Sequence, residues 1–447
     1  MFVLGDYRIK GRRASDIAAD IEHAVGIGKL APGAALPPLR DLAGELGVNP
    51  NTVAAAYRLL RDRGVIETAG RKGSRIRPRP ATTPRDQIRI PVPPGARDLS
   101  AGNPDPELLP ALAPALAVAA AEADRDPVLY GHATADPELL RLARAAFLAD
   151  GVPDGRLAVC SGSLDAIERI LTTQLRPGDL VAAEDPGWGS LLDLLPALGL
   201  RPIPVRLDDE GPLPDSLAEA LAAGARAVIV TVRAQNPTGA ALTPARAAAL
   251  RAVLAGHPGT VLIEDDHGHG MVDQPYLPLV SGADSRWAVV RSAAKAYGPD
   301  LRISLAIGDE ETIGRILGRQ RLDTGWVSLL LQRTVAELWR TDAAPVREVA
   351  ATYRARRDAL LAALAAYGIE AHGASGLNVW VPVPDEPGVV AALVQLGWVV
   401  APGARYRLQS PPAVRITTAA LMPGEAARLA ADLAGVLRSS GGGSRLI

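Results

Sequence analysis

Lys295 stands out in this sequence because the rest of the chain carries almost all of its positive charge on arginine. The chain has 48 lysines and arginines together, yet only four are lysines, and Lys295 is the one lysine beyond residue 72. A lysine amine can lose its proton and form an imine with an aldehyde, whereas a guanidinium stays protonated in proteins. The stretch VVRSAAKAYGPDLRISLAIGD therefore predicts covalent chemistry at Lys295, and the alternative is a surface lysine without a role.

Four other motifs in the C-terminal part suit parts of one small molecule. VCSGSLDAIERIL predicts a strand, a loop and a helix, so that backbone N–H groups and the hydroxyls of Ser161 and Ser163 converge on a phosphate. AEDPGWGS places Trp188 on a loop, where it can stack on a flat ring. RAQNPTGAAL puts Asn236 on a turn, and LIEDDHGHG ends a buried strand with carboxylates. Each motif alone is also typical of ordinary packing.

Pyridoxal 5'-phosphate is the molecule that these motifs fit together. Its aldehyde suits Lys295, its flat ring suits Trp188, and its phenolic oxygen suits Asn236. A buried carboxylate, which we take to be Asp265, would keep the ring nitrogen protonated and so make the ring an electron sink. The residues predicted to hold its phosphate are Ser161, Gly162, Ser163, Ser292 and Arg302.

The segment EDDHGHG has an alternative interpretation as a metal site. Its four possible ligands fall within five residues and are Asp265, Asp266, His267 and His269. The end of a strand directs alternate side chains to opposite faces, and the sequence shows no second cluster of ligands elsewhere. We therefore predict that no metal is bound here.

Charge is distributed unevenly along the chain. Lysines and arginines number 48 and aspartates and glutamates 49, which gives a formal net charge of −1. Residues 1–80 hold 14 basic and eight acidic side chains, a net charge of +6 that leaves −7 for the remainder. A basic N-terminal segment on an acidic body suggests that this segment binds a polyanion.

The composition favours a globular protein of the cytoplasm, since 48% of the residues are apolar. The single cysteine, Cys160, excludes an internal disulfide framework and fits a reducing compartment. The N-terminal sequence MFVLGDYRIKGRR has no apolar signal core, and the apolar run LLPALAPALAVAAA is interrupted by prolines. We expect neither export nor a membrane partner.

Three parts follow one another along the chain. Residues 1–77 show three helical patterns, residues 78–96 form a proline-rich linker, and residues 97–440 alternate strand-like runs with amphipathic stretches. The runs LAVCSG, LVAAEDPG, AVIVTV, TVLIEDD and WAVVRS predict an α/β fold with a large, mostly parallel sheet covered by helices. GLNVWVPV and AVRITTAAL predict a smaller α+β subdomain at about residues 345–440.

The N-terminal segment shows a helix-turn-helix pattern. After a short helix and a tight turn, a second helix would begin at Pro50 behind the cap Asn49. Asn51 and Thr52, at the start of that helix, are placed to enter a DNA major groove. VIETAGRKGSRI then predicts two short strands around a basic turn with Lys72, which suits the DNA backbone. The alternative is a helical packing module whose basic residues are only a solvated surface.

This segment resembles the GntR-type winged helix-turn-helix proteins over residues 8–77. The resemblance rests on LPPLRDLAGELGV, followed by TVAAAYRLLRDRG and a basic wing that contains glycine. It implies that Arg40, Asn51 and Thr52 contact DNA and that Tyr57 lies towards the DNA backbone.

The C-terminal part resembles the fold-type I aminotransferases of class I over residues 97–438. The motifs SAGNPDPELLP, LYGHATADPELLRLARAAFL, SGSLDA, NPTG, SAAK and LR occur in the order typical of that family. The resemblance implies that Tyr130 reaches the phosphate of the neighbouring subunit's cofactor and that Arg415 binds the α-carboxylate of an amino acid. His267 stands where the family has a tyrosine that hydrogen-bonds the phenolic oxygen of the cofactor. The resemblance implies that His267 could make the same hydrogen bond but would alter the pKa of the imine, which puts efficient transamination in doubt more than cofactor binding.

Together the two halves resemble the MocR subfamily of GntR transcriptional regulators. The resemblance implies a head-to-tail homodimer that binds a double-stranded DNA operator and senses pyridoxal 5'-phosphate, or a small amine or amino acid, through an imine at Lys295. A residual aminotransferase half-reaction stays open. One alternative is a working aminotransferase with a vestigial DNA-binding head, and another is a dimer scaffold that binds no cofactor. No residue identifies the effector, the operator or the direction of regulation.

Overall fold

The computed structural model describes residues 7–26, 29–31, 33–62, 65–68, 73–76, 90–280, 286–341 and 346–442. These residues form two compact units: the N-terminal unit comprises the described residues up to 76, to which residues 175–181 and 193–202 are also assigned, and the C-terminal unit comprises the other described residues from 90 onwards. Within the described ranges, every helix is too short or too polar to span a bilayer.

The N-terminal unit contains three helices followed by two antiparallel strands. Its elements are α1 (Ala14–Gly26), α2 (Leu39–Leu46), α3 (Pro50–Asp62), β1 (Ile66–Thr68) and β2 (Ser74–Ile76). α2 ends at Gly47, whose φ of 63° lies in the left-handed region that glycine adopts without strain. α3 begins at Pro50 as predicted, and the side chain of Asn49 accepts the N–H of Asn51 at 2.8 Å.

The apolar face of α3 forms the centre of this unit. Val53, Ala56 and Leu60 have no exposed surface and belong to one cluster with the buried residues of α1. Their spacing of three and four positions is that of a single helix face. β1 pairs with β2 in antiparallel register, so both predicted strands of the wing are present.

The C-terminal unit begins with β3 (Arg97–Leu99) and continues into a large sheet. The strands of that sheet are β4 (Arg156–Cys160), β5 (Leu180–Asp185), β6 (Arg201–Asp208), β7 (Gly211–Pro212), β8 (Ala225–Thr231), β9 (Val261–Asp266), β10 (Trp287–Ser292) and β11 (Ser304–Gly308). Their spatial order is β4–β11–β10–β9–β8–β5–β6–β7. The sheet is mixed and mostly parallel, as predicted.

The middle of the large sheet brings three predicted site segments to one edge. β8, β9 and β10 are parallel neighbours. β9 and β10 are buried at every position, as expected for strands covered by helices on both faces. Because the carboxyl ends of parallel strands meet at one edge, Asp265 near the end of β9 comes together there with Asn236 and Lys295, which lie in the segments after β8 and β10.

A second, four-stranded sheet forms the core of the smaller subdomain. It contains β12 (Asn378–Pro382), β13 (Trp398–Pro402) and β14 (Ala413–Thr417), in the order β12–β14–β13–β3. The sequence does not predict the contribution of β3, which lies parallel to β13 at the edge of this sheet. Three residues are too few to show the alternating pattern of a half-buried strand.

Helices cover both sheets. They are α4 (Ala113–Arg125), α5 (Pro137–Ala149), α6 (Ser163–Gln174), α7 (Gly189–Ala197), α8 (Pro214–Ala222), α9 (Pro244–Ala255), α10 (Ala294–Tyr297), α11 (Glu310–Arg321), α12 (Leu329–Arg340), α13 (Val346–Ala365), α14 (Glu386–Gln395) and α15 (Pro423–Gly442).

Candidate functional site

A cavity of about 290 Å³ in the C-terminal unit is lined by most of the residues predicted to bind the cofactor. Of the predicted cofactor and carboxylate residues, those at its wall are Gly162, Ser163, Trp188, Asn236, Asp265, His267, Ser292, Lys295, Arg302 and Arg415. They come from separate strand ends and loops, so the fold and not their order in the chain brings them together. Ser161 and Tyr130 are not part of this wall.

The loop between β4 and α6 lies against Arg302. Arg302 Nη2 donates a hydrogen bond to the backbone oxygen of Ser161 at 3.1 Å. Gly162 has a φ of 96°, and a Cβ at this position would lie 2.5 Å from the same Nη2 atom, so only glycine fits here. Ser163 begins α6, and its buried hydroxyl has no hydrogen-bond partner among the described residues. A helix N-terminus, a hydroxyl and a guanidinium therefore meet at one end of the cavity, an arrangement that suits a phosphate.

Lys295 lies on α10, directly after β10. Its Nζ atom donates to the backbone oxygen of Gly102 at 2.6 Å, and the side chain is half-buried. Gly102 has a φ of 65°, and a Cβ there would lie 3.0 Å from Arg415 Nη2. The amine is thus held at the cavity wall, close to the predicted carboxylate-binding arginine.

Asp265 and His267 form a hydrogen-bonded pair in the cavity. Asp265 is 3% exposed, and its Oδ2 atom lies 2.9 Å from His267 Nδ1. The other oxygen, Oδ1, is buried and has no hydrogen-bond partner among the described residues. Burial opposes the charged form of His267, but the hydrogen bond and negative charge of Asp265 outweigh it and raise the pKa of His267.

Asp266 and His269 do not line this cavity. Asp266 is fully buried, and it accepts hydrogen bonds of 2.8 Å from the Nε atoms of Arg233 and Arg291. Burial would raise the pKa of Asp266, but the two guanidinium groups lower it well below the ordinary range. Burial, followed by the charge of Arg291, lowers the pKa of His269 to about 3.

A second group of possible metal ligands lies outside the cavity. Ligand atoms of Asp150, Asp266 and His269 lie within 4.8 Å of one another. Arg291 Nη2 donates to Asp150 at 2.5 Å, so the carboxylates of both acids already bind guanidinium groups. These cations supply the positive charge that a metal would bring, and the prediction of no metal stays in place.

Arg415 lies on β14, and its guanidinium group makes polar contacts and a contact with an aromatic ring. Its Nη1 atom donates to Asn236 Oδ1 at 2.9 Å and its Nη2 atom to the backbone oxygen of Ser100 at 2.5 Å. The guanidinium carbon lies 4.6 Å from the centroid of the Tyr406 ring. These contacts hold the guanidinium group at the cavity wall, where it could bind a carboxylate.

Asp185 is a residue that the sequence analysis missed. It ends β5, three residues before Trp188, and its carboxylate accepts N–H groups from residues 408, 409 and 410 at 2.7–2.9 Å. An aspartate before proline and glycine is common in turns, so no signal in the sequence distinguishes it.

Tyr130 lies outside the cavity, with 92% of its surface exposed. Its ring centroid lies 5.6 Å from that of Trp326 in an edge-to-face arrangement. Within a single chain, the structure therefore does not bring Tyr130 to the predicted cofactor residues.

The predicted DNA-binding residues of the N-terminal unit differ in their exposure to solvent. Arg40 and Asn51 are exposed, and Thr52 is half-buried. Tyr57, by contrast, is 2% exposed, and its hydroxyl donates to the backbone oxygen of Pro37 at 2.9 Å. Burial raises the pKa of Tyr57. This tyrosine is part of the packing between α3 and the segment before α2, so the structure does not present it to a DNA backbone. Lys72 lies outside the described residues.

The sequence matches two protein families. Residues 13–76 match the bacterial regulatory proteins of the gntR family, and residues 96–433 match aminotransferase class I and II. The vitamin B6 salvage pathway transcriptional repressor PtsJ of Salmonella typhimurium is 40% identical over 433 residues, 95% of this chain and 98% of that protein. The HTH-type pyridoxine biosynthesis transcriptional regulator PdxR of Corynebacterium glutamicum is 29% identical over 302 residues, 64% of each protein.

Solved structures match the aminotransferase part of the fold. Kynurenine aminotransferase of Pyrococcus horikoshii superposes with a TM-score of 0.69 at 20% identity, over 78% of this chain and 92% of that one. Aspartate aminotransferase of Thermus thermophilus superposes with a TM-score of 0.67 at 25% identity, over 76% and 92%. These matches establish the fold-type I architecture of the C-terminal unit.

Proposed function

The chain belongs to the MocR subfamily of GntR transcriptional regulators, which join a helix-turn-helix to an aminotransferase class I domain, and we propose that it senses pyridoxal 5'-phosphate through Lys295. A small amine or amino acid that binds together with the cofactor is a second candidate for the molecule that the protein senses. We place this activity in the cytoplasm, where bacterial DNA lies.

The observation that carries the proposal is the pair of unpartnered polar atoms at the cavity wall. Asp265 Oδ1 and Ser163 Oγ are buried without a hydrogen-bond partner among the described residues, although buried polar atoms are normally paired. Asp265 Oδ1 suits a protonated ring nitrogen, and Ser163 Oγ suits a phosphate oxygen. Lys295 lines the same cavity. These residues fit the phosphate, the ring nitrogen and the aldehyde of pyridoxal 5'-phosphate.

Each side chain has a separate task in this proposal. Lys295 supplies the amine, while Ser163, Ser292 and Arg302 bind the phosphate. Asp265 keeps the ring nitrogen protonated. Once bound, the cofactor supplies an aldehyde and an electron-poor ring. Arg415 binds the carboxylate of an incoming amino acid, and to do so it would exchange its contact with Asn236 for one with the ligand.

The DNA part of the proposal assigns Arg40, Asn51 and Thr52 to the operator, with Lys72 on the DNA backbone. The relative PtsJ is named a repressor of vitamin B6 salvage. We propose that this chain also controls genes of vitamin B6 metabolism, as a homodimer in which the exposed Tyr130 reaches the site of the partner subunit.

One experiment tests the sensor function directly. Affinity for DNA upstream of the protein's own gene and its neighbours is measured with apoprotein, with pyridoxal 5'-phosphate, and with the cofactor plus candidate amines. We expect at least one of these states to change operator affinity by about fivefold or more, the usual lower range of allosteric coupling. Rapid transamination with unchanged operator affinity would instead favour the enzyme with a vestigial head. Protein that stays colourless at saturating cofactor would favour the scaffold.

A further inference from the structure

We propose that His267 acts on the bound cofactor through Asp265, as a positioning residue, and does not contact the phenolic oxygen of the cofactor. This inference rests on the proposed function, because it assumes that the cavity binds pyridoxal 5'-phosphate. It assigns His267 a role different from that of the tyrosine found at this position in related aminotransferases.

Both ring nitrogens of His267 face hydrogen-bond acceptors. Nδ1 lies 2.9 Å from Asp265 Oδ2, and Nε2 lies 2.7 Å from the backbone oxygen of Ala234. A carbonyl oxygen accepts but cannot donate, so Nε2 carries the hydrogen of that bond. An ionised Asp265 requires a hydrogen on Nδ1 as well, which makes the ring an imidazolium. No N–H group of His267 remains for the phenolic oxygen.

The backbone oxygen of Ala234 is a fixed partner. Ala234 is one of two non-glycine residues with a positive φ among those described, at 55°, and it is 3% exposed. A Cβ on Gly376 would lie 2.8 Å from the Cβ of Ala234, and a Cβ on Gly268 would lie 3.1 Å from it. Tight packing from two sides therefore holds this peptide group, and its hydrogen bond holds the His267 ring in turn.

The consequence for Asp265 is a fixed orientation of its carboxylate. His267 occupies Oδ2, which leaves Oδ1 as the oxygen that is buried and unpartnered among the described residues. Among the described residues, the groups that affect the charge of the imidazole are the Asp265 carboxylate near the end of β9, the Ala234 carbonyl in the loop after β8, and the charge of Lys295 on α10. The first two favour the protonated ring and the third opposes it.

A double-mutant cycle in the full-length protein tests the route through Asp265. The dissociation constant of pyridoxal 5'-phosphate is measured by absorbance for wild type, His267→Ala, Asp265→Asn and the double variant. We expect His267→Ala to weaken binding about tenfold, the effect of losing one charge-assisted hydrogen bond, but by less than about threefold in the Asp265→Asn background. His257→Ala, in the loop after α9, is the control and should bind as wild type does.

The same titration with 3-deoxypyridoxal 5'-phosphate, which lacks the phenolic oxygen, distinguishes an action of His267 through Asp265 from a direct contact with the phenolic oxygen. We expect the effect of His267→Ala to keep its full size with this analogue. An effect that disappears with the analogue but persists in the Asp265→Asn background would show a contact with the phenolic oxygen and would overturn the proposal. An unchanged affinity in His267→Ala would overturn it as well.

A cofactor-free measurement distinguishes failure of this inference from failure of the proposed function. NMR titration of ¹⁵N-labelled apoprotein should show His267 protonated to higher pH than an ordinary histidine, and Asp265→Asn should lower the pKa of His267 because it removes the negative charge that raises it. If His267 titrates identically in both proteins, the inference is wrong whether or not the cofactor binds. If wild type binds no pyridoxal 5'-phosphate, the proposed function fails, while the NMR result still decides whether the pair exists.

Discussion

The carboxylate of Asp185 accepts two hydrogen bonds of 2.9 Å from Ser410, one from the hydroxyl and one from the backbone N–H. Asp185 ends β5 and leads into the loop of Trp188, whereas Ser410 lies in the segment that leads into β14 and Arg415. The buried carboxylate thus connects the residue expected to stack on the cofactor with the residue expected to bind the carboxylate of an amino acid.

Asp185→Asn should destabilise the protein and weaken cofactor binding together. The substitution removes the charge that four hydrogen bonds share, so we expect the free energy of unfolding to fall by about 2–3 kcal/mol. Ser410→Ala removes one neutral hydrogen-bond donor and should lower the free energy of unfolding by only about 1 kcal/mol. Urea unfolding and titration with pyridoxal 5'-phosphate measure the two effects. A cofactor affinity unchanged in Asp185→Asn would show that this connection does not position Trp188.

Lys295 should be the site at which the cofactor becomes attached. Purified protein with pyridoxal 5'-phosphate should be yellow, and borohydride reduction followed by peptide mass spectrometry should find the label on Lys295. Lys295→Ala and Lys295→Arg should both abolish the label, because guanidinium cannot replace a reactive amine. Lys29→Arg is the matched control and should be labelled as wild type is. Label on any of the other three lysines would contradict the assignment.

Arg40→Ala and Asn51→Ala should each weaken operator binding by about 1–3 kcal/mol if their contacts to base edges are good ones. Cofactor absorbance should not change, because both residues belong to the N-terminal unit. Lys72→Ala should instead weaken binding to all sequences alike and reduce its salt dependence. Fluorescence anisotropy with operator and unrelated DNA measures these effects, with the exposed Arg321→Ala as control. Operator affinity unaffected by both Arg40→Ala and Asn51→Ala would refute the groove assignment.

Most of the residues that line the cavity could be predicted from the sequence, because they lie in local motifs and follow one rule of topology. Asp265 lies near the end of β9, Asn236 follows β8 and Lys295 follows β10, and parallel strands bring such positions to one edge. The hydrogen bonds of Asp185 join residues 223 to 225 positions apart, and no local pattern encodes them. One of the two partners of His267 is likewise a backbone oxygen 33 positions away, so the sequence around His267 does not reveal its full set of hydrogen bonds.

The burial of Tyr57 could not be predicted from the sequence. A tyrosine on α3 suits either a DNA backbone or a protein core, and the spacing of residues along the helix does not decide between them. In the structure its hydroxyl reaches Pro37, which precedes α2. The sequence pattern does not show that the segment before α2 packs against α3, and this packing is what buries Tyr57.

Glu264 should make the stability of the protein depend on pH. This residue of β9 is fully buried, accepts the N–H groups of Leu279 and Val280 at 2.8 Å, and shares a short hydrogen bond with Tyr276. Burial raises the pKa of Glu264 to about 7, whereas the unfolded chain has the ordinary value of about 4.3. Between these values the folded protein keeps a proton that the unfolded chain has lost. The stabilising effect is therefore complete below about pH 4.3 and is lost as the pH rises through about 7.

Glu264→Gln tests this dependence, because an amide has nearly the shape of the protonated carboxyl group and does not ionise. Unfolding free energies from urea titrations between pH 5 and 7 should fall less steeply in the variant, by up to about 1.4 kcal/mol per pH unit for one proton. Some slope should remain, because burial also raises the pKa of Glu184 to about 7. Glu219→Gln, at an exposed position of α8, should keep the wild-type slope. Identical slopes in Glu264→Gln and wild type would mean that Glu264 is ionised in the folded protein throughout this range.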